Sequence, residues 1–403
     1  MKKPSLFFLN ILAITLTLKS GLFYANPSLD NLNSPPPAVN NPIITPTPPA
    51  LNAKAYILID ISSGKIIAEK NSEERLPPAS LTKIMTLYVT SNALKQNQIH
   101  LNDMIRVSRT AWQIGGSRMF VKEGQQVSIE DLLKGIIVDS GNDACVAIAE
   151  HLGGSENGFA EIMNFQAKQL GMNNTHFTDS TGLPNKDLYT TAKDLAILSR
   201  ALINNFPDYY HWYKQKWFTF NGIRQANRNR LLWRDSQVDG VKTGHTDEAG
   251  FCLVSSAKRG DMRILAVLLG SPNDSSRADD SEKLLNYGFR FFETHQLFKN
   301  NEKITEVPLY KGTSKIVQAG LNHPLYVTIP TGQYQHIIIN TNIPKYLQAP
   351  IKKGDKLGDV LIKFDNNVIA NEPLYALQDA PSGGIWTRVK DSIRLVYKHW
   401  FSA

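Results

Sequence analysis

Residues 238–270 read VDGVKTGHTDEAGFCLVSSAKRGDMRILAVLLG. Three apolar, β-branched runs (238–243, 251–258 and 262–270) are set apart by short polar breaks, and Gly260-Asp261 supplies a tight turn between the last two. Strands joined this closely pair antiparallel. Upstream, residues 92–213 carry mainly helical patterning, including 132–152 and 191–202. Before that, 55–60 and 65–68 read as two more strands about Ser63-Gly64. A helix over about 276–295 follows the strand cluster. The order strands, helices, strands, helix predicts an α+β domain over 51–298, a mainly antiparallel sheet with a helical insertion, and argues against a doubly wound parallel sheet.

Around this unit the texture changes three times. Lys2 and Lys3 precede an apolar stretch over 6–18, the layout of a bacterial export signal over 1–25, with cleavage near Ser20 or Ala25. Residues 26–50 hold Pro35-Pro36-Pro37 and Pro48-Pro49 with almost no charge, which reads as an extended spacer. Beyond Phe298, short alternating runs such as 325–329, 336–340 and 360–364 predict a small all-β sandwich over 299–382. The last segment, 383–403, places Ile385, Trp386, Val389, Ile393, Val396, Tyr397, Trp400 and Phe401 on helical spacing, opposite Arg388, Lys390, Arg394 and Lys398. A basic, Trp-bearing amphipathic helix fits a membrane interface; the alternative is docking on its own protein.

A net charge of +8 over 403 residues suits an envelope surface or an anionic substrate, and no nucleic-acid motif accompanies it. Cys145 and Cys252 form neither a metal spacing nor a CxxC pair, so no metal or cofactor is expected, and their apolar settings read as two separate buried thiols.

The pattern Ser-x-x-Lys occurs three times, from Ser62, Ser80 and Ser255. Ser62 falls in a predicted turn, and Ser255 with Lys258 lies in a strand, where positions three apart face opposite sides. Only Ser80 and Lys83 open a helix, where such positions share a face and the helix N-terminus favours a developing oxyanion. A serine hydroxyl needs a base, and lysine serves only when neutral. Burial and a second cation would lower its pKa. Lys242-Thr243-Gly244 offers that cation on an edge strand able to pair with an extended substrate, with Gly244 allowing close approach. Ser140-Gly141-Asn142 interrupts an apolar helical context. Ser140 and Asn142 there either cap the next helix or face a site, Ser140 passing a proton to a leaving amine and Asn142 holding a substrate amide.

These motifs, in this order, are the set shared by penicillin-binding proteins and serine β-lactamases, with Gly141 where the class A pattern has Asp. The chain resembles the low-molecular-mass penicillin-binding proteins of the D-alanyl-D-alanine carboxypeptidase type. The resemblance rests on Pro78-Ala79-Ser80-Leu81-Thr82-Lys83-Ile84-Met85-Thr86, Ser140-Gly141-Asn142-Asp143-Ala144-Cys145, Asn227-Arg228-Asn229, Asp239-Gly240-Val241-Lys242-Thr243-Gly244-His245-Thr246 and Gly288-Phe289-Arg290-Phe291-Phe292. It runs from about Ala53 to the C-terminus. It implies a penicillin-binding/serine β-lactamase-like transpeptidase fold followed by the small β domain. It also implies that Ser80 attacks the bond between two D-alanines of a peptidoglycan stem peptide, and that β-lactams acylate Ser80 as substrate mimics. The oxyanion hole would be the N–H groups of Ser80 and His245. Thr243 and Arg277 match positions for the terminal carboxylate, and Arg228 matches a supporting basic position. An ordinary exposed helix residue is the alternative for Arg277.

A class A β-lactamase needs a deacylating glutamate, and none occurs between Glu161 and Lys242. A D,D-endopeptidase shares the chemistry; in the resembled family the β domain and terminal helix favour the carboxypeptidase. The complete motif set argues against a silent envelope scaffold.

Overall fold

The computed structural model describes residues 45–401. The expected export signal and most of the expected spacer therefore lie outside the described residues. At the centre is a five-stranded antiparallel sheet in the order Ile66–Lys70, Ala55–Asp60, Met262–Ser271, Gly250–Arg259, Val238–Thr246. Alternation sends its side chains to two cores. Ile57, Ile59, Val254, Leu265 and Val267 join the helical subdomain, while Leu58, Leu253, Ala266 and Leu268 pack with Ala278, Leu284 and Leu285 of the helix Asp274–Phe291. Both faces are covered, which is why Ala55–Asp60 is buried at every position and reads as a continuous apolar run rather than an alternating one. The strand Val238–Thr246 is left at one edge, as its sequence predicts.

Three local expectations are corrected. Residues 132–152 are not one helix: Ile129–Lys134 passes through a π-helical turn, Gly135–Asp139, Ser140 turns left-handed at φ 59°, and a new helix runs Asn142–Gly153. The segment 92–213 also contains a small hairpin, Met104–Arg106 with Gln126–Ser128, whose three-residue strands are too short to show alternation. The helix expected to reach 295 ends at Phe291, because Phe292 is extended and Phe292–Phe298 pairs with Leu325–Pro330.

That last pair and a six-stranded sheet enclose a separate core of Val307, Val317, Val327, Ile362 and Leu374, the expected β sandwich. It is joined to the central sheet through the buried Asp60. Its carboxylate accepts the Ser63 N–H (2.7 Å) and the Thr294 hydroxyl (2.8 Å), and the Ser63 and Thr294 hydroxyls lie 2.6 and 2.9 Å from that of Thr328. Replacing Asp60 by Ala strands these donors, so we expect a loss of about 2–3 kcal/mol in urea unfolding. A melt coincident with wild type would remove the network from any account of stability.

The terminal helix, Ile385–Phe401, meets the sandwich through its polar side: Asp391 accepts the Lys311 N–H at 2.7 Å, and Lys398 lies over the rings of Tyr310 and Tyr346. Its apolar side stays open, with Trp386 86% and Trp400 77% exposed. No described helix is long and apolar enough to cross a membrane.

Candidate active site

Ser80 sits in a single 3-10 turn, Ala79–Thr82, that runs straight into the helix Lys83–Lys95. The turn is set by close backbone packing on two sides. Gly182, at φ +81°, lies where a Cβ would fall 1.9 Å from the Ala79 carbonyl oxygen and 2.7 Å from Thr82 Oγ1. A Cβ on Gly244 would fall 3.0 Å from the Pro78 carbonyl oxygen and 3.2 Å from the Ser80 nitrogen. A second reason for glycine at 244 therefore stands beside the substrate approach expected there: the turn that carries Ser80 packs against it. Gly182→Ala combines a collision with backbone and a positive φ. We expect it to lower the melting temperature by about 5 °C, equivalent to roughly 3 kcal/mol. An unshifted melt would show that the turn can yield.

One helical turn beyond Ser80, Lys83 is fully buried, its Nζ 2.9 Å from Ser80 Oγ and 2.6 Å from the Thr181 carbonyl oxygen. Burial pulls its pKa below the usual lysine range; the Arg228 charge adds to this, while Cys145, Asp179 and Asp143 oppose it. Lys242, also buried, lies 2.8 Å from Ser140 Oγ and donates to the Thr243 carbonyl at 2.9 Å. Its pKa is depressed further, by burial first and then by the charges of Lys83 and Arg228. Burial is the first cause for both amines, and the Lys83 charge acts on Lys242 besides.

The capping alternative for Ser140 and Asn142 fails. Gly141 occupies the N-cap, no side chain caps the helix, Ser140 faces Lys242, and Asn142 donates from Nδ2 to the Gly115 carbonyl at 2.7 Å. The exposed-residue alternative for Arg277 fails too. Its guanidinium is buried, donates to the carbonyls of Gly244 (3.2 Å) and Cys252 (3.3 Å), and pairs with Asp274. Burial lowers its pKa against the pull of Asp274.

Ser80, Ser140, Thr243, Gly244, His245, Arg228 and Arg277 line one cleft of about 700 Å³, with Lys83, Asn142 and Lys242 buried behind them. Every residue expected at the site is thus gathered in one place. The cleft can offer a hydroxyl beside a buried amine, a second hydroxyl–amine pair, an edge strand, and guanidinium groups for an anion.

Other contributors were not read from the sequence. Asp143 accepts the N–H groups of Met119, Phe120, Val121 and Ala144 at 2.9–3.2 Å, tying the segment that follows the cleft-lining Gly116 and Ser117 to the helix Asn142–Gly153. An acidic residue in a first helical turn was the available signal. Asp274 pairs with Arg230 at 2.7 Å as well as with Arg277. The Thr181 carbonyl is backbone and leaves no side-chain signature. Cys145 and Cys252 are free and buried, as expected, and burial pushes their thiols up to about 12 and about 11.

Comparison with known proteins gives a consistent result. A family model described as D-alanyl-D-alanine carboxypeptidase matches residues 43–273, and one described as penicillin-binding protein 5, C-terminal domain, matches 292–382. The D-alanyl-D-alanine carboxypeptidase DacC of Escherichia coli (strain K12) is 44% identical, over 88% of this chain and 91% of its own length. Penicillin-binding protein 5 from Haemophilus influenzae superposes with a TM-score of 0.79 at 41% identity, covering 83% of this chain and 99% of that one. Penicillin-binding protein D2 from Listeria monocytogenes, in its ampicillin-bound form, gives 0.55 at 31% identity, covering 59% of this chain and 98% of that one.

Proposed function

The chain belongs to the D-alanyl-D-alanine carboxypeptidase family, and on that premise we propose that it removes the terminal D-alanine from peptidoglycan stem pentapeptides through an acyl-enzyme on Ser80. The observation that carries this reading is the wholly buried Lys83 amine 2.9 Å from Ser80 Oγ.

In the neutral form, the Lys83 lone pair accepts the Ser80 proton as Oγ attacks the penultimate D-alanine carbonyl. The N–H groups of Ser80 and His245 receive the oxyanion. Ser140, paired with Lys242, gives its proton to the departing amine and takes one back from the Lys83 ammonium, which returns Lys83 to its neutral form as free D-alanine leaves. Water then cleaves the ester and restores Ser80. Asn142 holds a substrate amide. Thr243 and Arg277 receive the terminal carboxylate, with Arg228 adding positive charge at the cleft mouth. A β-lactam acylates the same oxygen by opening its ring.

We place the protein on the outer face of the bacterial inner membrane. The leader-like N-terminus supports export, and the open apolar side of Ile385–Phe401, with Trp386 and Trp400, supports peripheral anchoring. On this view the sandwich spaces the active site from the bilayer. Flotation with anionic liposomes should carry the full chain but not one ending at residue 382; equal flotation would sink the anchor.

Mass spectrometry of a stem pentapeptide incubated with the protein tests the reaction. Loss of one alanine is expected. Cleavage of a crosslinked peptide dimer in its place would move the assignment to an endopeptidase, and no product from either would sink both.

A further inference from the structure

The base is aimed by a chain of hydrogen bonds that begins at a carboxylate outside the cleft. Glu156 opens the helix Glu156–Leu170. Its Oε2 accepts the Ser180 N–H at 2.9 Å, and its Oε1 accepts the Ser180 hydroxyl at 2.8 Å. The Ser180 carbonyl in turn accepts the Thr86 hydroxyl at 2.6 Å, and the next carbonyl, that of Thr181, takes the Lys83 amine at 2.6 Å. Thr86 and Lys83 are three apart on one helix, so successive carbonyls of the loop meet successive positions of one helix face. On the other side Asp179 Oδ1 accepts the Thr181 N–H, the Thr181 hydroxyl and the Gly182 N–H at 2.6–2.8 Å.

The Thr181 carbonyl matters because a neutral amine has two N–H groups and one lone pair. With one N–H fixed on that carbonyl, rotation about the Cε–Nζ bond is restricted and the lone pair can be kept towards Ser80 Oγ. When Lys83 has taken the Ser80 proton it is an ammonium, and the same contact becomes a charge-assisted hydrogen bond. The carbonyl is thus a preorganised dipole that strengthens its hold as the reaction proceeds.

We propose that Glu156 is a positioning residue for acylation: by fixing Ser180 it aims the Thr181 carbonyl at the base. This rests on the reading of Lys83 as that base. Burial raises the Glu156 carboxyl above the usual range, Asp179 and Glu150 push the same way, and the two bonds from Ser180 hold it down. A carboxylate kept in this setting is matched to the groups it holds.

The test is the rate of acylation by a chromogenic β-lactam as a function of pH, in the full chain. Glu156→Leu removes both acceptors. The acylation rate constant should fall about 10- to 100-fold, the range expected when a reacting group is misplaced by about an ångström. Non-covalent affinity should hold. The inflection in the pH profile should move to lower pH, since an ammonium deprived of a carbonyl acceptor loses its proton more readily. Glu156→Gln offers a carbonyl to the Ser180 N–H and an amide N–H to the Ser180 oxygen, and should restore the rate to within about threefold of wild type.

A folded Leu variant with the wild-type rate, or a slowed one with an unmoved inflection, overturns the proposal, as does a Gln variant as slow as Leu. If the Leu variant does not fold, Ser180→Ala, which deletes only the hydroxyl bond, should shift the profile the same way by less; an unchanged profile overturns the proposal. Lys83→Met separates the two claims. Acylation independent of Lys83 refutes the base itself, whereas acylation that needs Lys83 but ignores Glu156 refutes only the positioning role.

Discussion

Ser80→Ala should abolish labelling by a fluorescent penicillin and release of D-alanine together, a loss on the order of 10⁴-fold or more, as removal of a nucleophile gives elsewhere. The experiment is sharper than a routine knockout because the cleft holds two serine–lysine pairs of similar geometry. Ser140 lies 2.8 Å from Lys242 just as Ser80 lies 2.9 Å from Lys83, and both amines are buried and depressed. Two features separate them. Ser80 occupies the turn at the start of the helix Lys83–Lys95, where unsatisfied N–H groups present positive potential to an oxyanion. Ser140 occupies a left-handed position before Gly141, and the N-terminus behind it belongs to a different helix. Ser140→Ala should therefore keep the label and slow its appearance, since proton delivery to the leaving group is lost while the nucleophile remains. Label persisting in Ser80→Ala and vanishing in Ser140→Ala would exchange the two roles.

The legible part of this site was the part written in side chains at fixed spacing. Ser80 and Lys83 could be told from two rival matches because a helix, and not a turn or strand, puts positions three apart on one face. The edge position of Lys242 followed from the strand-like run Val238–Val241 leading into Lys242-Thr243-Gly244. What stayed hidden was carried by backbone. The Thr181 carbonyl has no residue type to betray it, and Gly182 and Gly244 are glycines because of what lies across a tertiary contact. The helix that stops at Phe291 continues in sequence with residues able to extend it, and pairing with Leu325–Pro330 overrides that local preference. The burial that depresses both lysines also depends on tertiary packing, which a linear sequence does not contain.

Lys83→Met is expected to cost about 10³-fold or more in acylation, at the upper part of the range for a positioned general base and its hydrogen bonds. Its pH dependence carries the mechanism. In the wild type only the neutral amine can accept the Ser80 proton, so the acylation rate should climb with pH through the depressed Lys83 pKa and level off above it. The Met variant should lack that limb. Arg228→Gln removes a charge that pushes the Lys83 pKa down. The limb should move to higher pH, though modestly, because the Arg228 side chain is exposed and solvent screens it.

The same shift predicts a stability signature that rises with pH, as the activity does. Lys83 has a lower pKa folded than unfolded, so between the folded value and the unfolded 10.5 the unfolded chain binds more protons. Wild-type stability from this group therefore rises with pH across that window, and the Met variant lacks the contribution. The melting temperature of wild type minus that of Lys83→Met should increase as pH is raised. A difference independent of pH, with a flat acylation profile in wild type, would mean that Lys83 is not the group neutralised for catalysis.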